Sequence, residues 1–103
     1  MSRKLTAEIK RRGIPALYTQ ENSADPIVYL EIRTFGFPWR WYVTECNLQE
    51  DGHDILFFGY VCGLANEWGY FYLSELEKMR CPLLVDDKFK PMPFSELKRE
   101  YNL

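Results

Sequence analysis

The stretch IVYLEIRTFGFPWRWYVTE, Ile27 to Glu45, decides the fold class. Val28, Leu30 and Ile32 alternate with Tyr29, Glu31 and Arg33, the period of two that marks a strand with one buried face. Gly36 and Pro38 interrupt the pattern, after which Trp39, Trp41 and Val43 fall on one side of a second alternating run. A connection this short predicts an antiparallel hairpin.

Working outward, NLQEDGHD (47–54) is a polar loop with the turn pair Asp51-Gly52. ILFFGYV (55–61) is apolar on both sides, which predicts a strand covered on two faces. GLANEW (63–68) connects it to GYFYL (69–73), a fourth strand, with Gly59 and Gly69 as positions where a side chain would crowd the sheet. SELE (74–77) matches a Ser-x-x-Glu capping box with Ser74 as N-cap and Glu77 as its partner, and Pro82 ends that helix near Arg80. LLVDDKFKPMP (83–93) is extended, and its prolines exclude a central strand position. A last helix starts at Ser95. Upstream, LTAEIKRRG (5–13) reads as a short helix capped by Thr6 and ended by Gly13, followed by the loop IPALYTQENSADP (14–26). The expectation is one α+β domain over residues 1–103: a four-stranded, meander-like antiparallel sheet with short helices at the N-terminus, after strand four and at the C-terminus.

At 103 residues, with 47% hydrophobic and 17% aromatic content, the chain can build its own aromatic-rich core. Cys46, Cys62 and Cys81 are odd in number and widely spaced, as in a reduced cytosolic protein. No apolar run follows the charged MSRKLTAEIKRRG, and no 18-residue apolar stretch occurs, which predicts a cytoplasmic, soluble protein with no membrane partner.

The elbow, Walker, dinucleotide and zinc-helix motifs are all missing, and the sole histidine, His53, sits between Asp51 and Asp54 in a turn. A solvated loop accounts for that cluster, and Cys46 and His53 have no second ligand pair at zinc spacing. These absences argue against an enzyme, a metal and a cofactor.

The net charge of −2 conceals a strong asymmetry. Residues 41–77 contain no Lys or Arg and seven acids, Glu45, Glu50, Asp51, Asp54, Glu67, Glu75 and Glu77, whereas Arg3, Lys4, Lys10, Arg11 and Arg12 crowd the N-terminus. Trp39, Trp41, Tyr42, Phe57, Tyr70 and Tyr72 could form a stacking platform for single-stranded nucleic acid, but an acidic block repels phosphates, and buried core is the simpler use of these rings. Direct nucleic-acid binding is thus confined to an alternative reading, an accessory protein working through the basic N-terminal helix and exposed aromatics.

A series of short matches runs through the chain in order: Pro15, Leu17 and Tyr18; Asp25-Pro26; Trp39, Trp41 and Tyr42; Asp54 with Phe57-Phe58-Gly59 and Val61; Glu67 with Gly69-Tyr70-Phe71; LSELE from Leu73; and FKP from Phe89. By these the chain resembles a family of small proteins carried on plasmids, phages and integrated mobile elements, and within it the type II-A anti-CRISPR proteins. The segment between Glu77 and Phe89 is shorter than is usual there, and its VDDK lacks the mixed charges expected. The resemblance implies a non-enzymatic inhibitor that binds the type II CRISPR effector nuclease, with or without its guide RNA, and interferes with target DNA; a monomer is expected. Taken with the acidic block, it makes Glu45, Glu50, Asp51, Asp54, Glu67 and Trp68 the candidate partner-binding residues.

Overall fold

The computed structural model describes residues 3–36, 38–49, 54–79 and 81–103. Helix α1 (Arg3–Arg12) begins before the expected Thr6 cap and stops where Gly13 takes φ +63°, a conformation that favours glycine. Strands follow as β1 (Ile27–Val28), β2 (Leu30–Thr34), β3 (Arg40–Leu48), β4 (Ile55–Cys62) and β5 (Asn66–Tyr72). After them come α2 (Leu73–Glu77), β6 (Leu83–Val85), β7 (Met92–Pro93) and α3 (Phe94–Glu100).

The expected meander is present as the neighbours β5-β4-β3-β2, all antiparallel. Among the described residues the sheet nevertheless has five strands, because β6 adds antiparallel to the outer side of β2, and a separate two-stranded pair joins β1 to β7. The four-strand expectation missed β6 because three residues carry too little periodicity to announce a strand. β6 lies at an edge and Pro93 falls in the two-stranded pair, so neither strand of this segment is central, in agreement with the exclusion of proline from central strands.

Alternation gives the sheet two covered faces. On one, Leu30, Ile32, Trp41, Val43 and Phe57 pack with Leu5 and Ile9 of α1 and with Leu73 and Leu76 of α2. On the other, Val28, Tyr42 and Cys62 pack with Phe89 and Leu97, so α3 and the chain leading into it cover that side. The three cysteines are free, and burial pushes the Cys46 thiol up to about 11, the behaviour of an inert core thiol.

Two polar devices close the structure. Arg12 has a side chain only 2% exposed; it pairs with Glu8 at 2.8 Å and donates to the carbonyls of Tyr29, Asp86 and Phe89, tying α1 to the chain ahead of β7. Both later helices are capped from a distance. Asp54 accepts from the amide and hydroxyl of Ser74 at 3.0 and 2.7 Å, and Asp25 does the same for Ser95 at 2.8 and 2.6 Å. Each serine is the second residue of its helix, so Ser74 is not the N-cap that the sequence suggested. Tyr72 occupies that position, and Glu75 rather than Glu77 accepts its amide, at 3.1 Å. The Ser-x-x-Glu match thus falls two residues late, and the acceptor of Ser74 is Asp54, just ahead of β4.

Gly59 meets its expectation: a Cβ there would lie 2.1 Å from the carbonyl oxygen of Tyr42. Gly69 does not, since nothing lies within 4 Å of the corresponding point.

Candidate functional site

The sheet is regular until Thr44, where β3 carries one residue more than β4 between the pairs Val43–Gly59 and Glu45–Phe58. Such a bulge breaks the alternation of faces. Thr44 and Glu45 consequently both line one cleft, of about 370 Å³, together with Phe58 across the ladder. That volume is within the range of ligand-sized clefts.

Its opposite wall comes from the loop after α1. Glu45 is 4% exposed, and its carboxylate accepts the amides of Tyr18 and Gln20, pinning that loop over the sheet. The Gln20 side chain continues the tie, accepting from Ile27 N at 2.7 Å and donating to the carbonyls of Ile27 and Thr44 at 3.0 Å each.

Aromatic rings form the rest. Tyr18 lies 6.4 Å from Tyr70, Tyr70 lies 4.8 Å from Phe58, Phe58 lies 5.8 Å from Trp68, and Trp68 lies 4.7 Å from Phe94 (centroid distances), all five lining the cleft. Trp68 is 38% and Tyr70 53% exposed, so this is a wetted ring cluster and not core. Of the six rings considered for stacking, Trp41, Tyr42 and Phe57 are buried, as core residues are, Trp39 is half-buried, and Tyr70 and Tyr72 are exposed on β5.

The field here is negative. Desolvation, the Tyr18 hydroxyl and the carboxylates of Glu45 and Glu21 together hold the Tyr70 phenol above its ordinary range. Among the described residues the ion pairs are Glu8 with Arg11 and Arg12, and Glu31 with Arg33; none involves Glu45.

The six residues expected to bind a partner divide. Glu67 and Trp68 are both exposed on β5 but project to opposite faces of the sheet, Glu67 opposite Val61 and Trp68 opposite Tyr60, and β5 has no strand on its outer edge among the described residues. Glu45 is buried at the cleft and Asp54 is half-buried, with the Ser74 hydroxyl the leading cause of a carboxyl held below its usual range. Neither is a free surface acid. Glu50 and Asp51, with His53, lie outside the described residues. Tyr18, Gln20, Phe58 and Phe94 were not anticipated, and only the aromatic content around β4 and β5 signalled this region.

The basic N-terminus is partly committed. Arg11 and Arg12 both contact Glu8, and the side chains of Arg3 and Lys4 are not among those described. Among the described residues no cluster of three or more His, Cys, Asp or Glu is placed to hold a metal, and no helix is long and apolar enough to cross a membrane. Comparison of the chain with family models, with curated proteins and with solved structures found no match.

Proposed function

We propose that this chain is a non-enzymatic anti-CRISPR protein that binds the type II RNA-guided nuclease and interferes with target DNA binding or cleavage. One observation carries the reading: β5 presents Glu67, Trp68, Tyr70 and Tyr72 to solvent at a sheet edge, within a 37-residue stretch that has no Lys or Arg. Exposed rings on one face of an edge strand, in a stretch rich in acids and free of bases, suit a basic protein surface, and the nuclease holds its guide–target duplex in a positively charged channel. Four residues that carry the family resemblance, Tyr18, Pro26, Phe58 and Tyr70, line the neighbouring cleft. The contact surface is therefore narrower than the acidic block as a whole, and it excludes Glu45 and Asp54 as free charges.

The test is cleavage of a matched target by guide-loaded type II nuclease, with and without an equimolar amount of the protein. Wild type should inhibit, and a Glu67→Lys/Trp68→Ala variant with an unchanged circular dichroism spectrum should not. No inhibition by wild type across several type II nucleases rejects the function; full inhibition by the double variant rejects β5 as the contact.

A further inference from the structure

We propose that the cleft between the 18–26 loop and the β4–β5 face is a receptor for an arginine side chain of a protein partner. The inference rests on reading this face as a protein-docking surface, though not on the partner being a nuclease.

Three features of the cleft converge on a planar cation. Its wall is a continuous run of rings, Tyr18, Tyr70, Phe58, Trp68 and Phe94, with successive centroids 4.7 to 6.4 Å apart. Ring faces attract cations, and a guanidinium, flat and weakly hydrated, stacks on them better than an ammonium does. The second feature is Glu45. An ionised carboxylate offers about four acceptor sites, and among the described residues only the amides of Tyr18 and Gln20 use them. Glu45 is 4% exposed as a residue and lines the cleft, and its carboxylate, with no ion-pair partner among the described residues, is suited to an incoming donor. The third is the Glu21 carboxyl at the same cleft, which, with Glu45, makes the field around Tyr70 negative. Phosphate and carboxylate ligands are disfavoured by that field, and an uncharged apolar ligand would leave the Glu45 acceptor sites unused.

The chemistry is shared by a free guanidinium compound and by a peptide arginine, so the experiment separates them. Full-length ¹⁵N-labelled protein is titrated with Ac-Gly-Arg-Gly-NH₂, with the neutral isostere Ac-Gly-citrulline-Gly-NH₂ and with methylguanidinium chloride, following the Trp68 indole and the Tyr18, Gln20 and Tyr70 amides. The arginine peptide should give saturable shifts confined to these signals, with the citrulline peptide weaker by about tenfold. Trp68→Leu and Glu21→Gln should each weaken the arginine peptide, whereas Leu64→Ala, at the 98% exposed tip of the β4–β5 turn, should not. Equal binding of arginine and citrulline peptides, or no saturable shift at concentrations on the order of 10 mM, overturns the site. Methylguanidinium binding as tightly as the peptide overturns its assignment to a protein side chain. Because no nuclease is present, loss of this site with nuclease inhibition intact would leave the proposed function standing, and the reverse result would leave the site standing.

Discussion

The amide of Tyr18 donates to Glu45 Oε1 at 3.1 Å, and Tyr18 sits at φ +71°, in the left-handed region that an aromatic residue ordinarily avoids. A strained backbone persists where its surroundings hold it, and such residues gather at binding sites. Here the anchor is a buried carboxylate and the beneficiary is a ring, carried to within 6.4 Å of Tyr70.

Glu45→Ala should therefore destabilise the fold by roughly 2–4 kcal/mol, since two amides lose a charged acceptor in a largely buried setting. Glu45→Gln should cost less, as one oxygen remains. Tyr18→Gly should be nearly neutral, because relief of about 1 kcal/mol of backbone strain offsets the lost ring contacts. Urea denaturation of the three variants checks the ranking, and a Glu45→Ala change below about 0.5 kcal/mol would show the loop to be held by other contacts.

Stability should fall with acid through the two remote caps. In the folded chain Asp25 and Asp54 both lie below the ordinary aspartate range, chiefly because the hydroxyls of Ser95 and Ser74 donate to them. The unfolded chain then takes up protons first as pH drops. Their contribution is complete above the unfolded value of about 3.9 and is lost as pH falls through the lower folded values. An Asp25→Asn/Asp54→Asn variant should have a lower melting temperature at pH 7 and a flatter melting profile between neutrality and strong acid. A parallel downward shift at every pH would contradict the assignment.

Gly59→Ala and Gly69→Ala should part company although the two glycines face each other across β4 and β5. At Gly59 the added carbon meets backbone oxygen at 2.1 Å, and the strand must move, at a cost of roughly 1–3 kcal/mol or more. At Gly69 the space is open, and alanine should be neutral or stabilising by up to about 1 kcal/mol. Thermal melts of the pair suffice, and equal destabilisation would refute the distinction.

Much of the framework was legible because alternation is local. Trp41 and Val43 share the core face, the 55–61 run lies inside the sheet, and Gly13 stops α1. The site was legible only in part. Trp68 and Glu67 stood out, though as the end of a connection that proves to be the start of β5, and the placement of Glu45 depends on the bulge at Thr44, which has no marked sequence signature and reverses the expected side. Tyr18 and Gln20 belong to a loop without periodicity, so nothing short of the fold brings them over Phe58. The helix starts at Ser74 and Ser95 were placed late because the aspartates that serve these serines are 20 and 70 residues away.

That 70-residue reach gives the chain a direction in time. When residue 77 leaves the ribosome, β2 to β5 and α2 can all be in place, with Asp54 already on Ser74. Asp25 and Arg12 must still wait for residues 86 to 95, on which they close. Nascent chains stalled after α2 should thus hold a sheet without its α3 cover, which only the synthesis of residues 78–103 supplies.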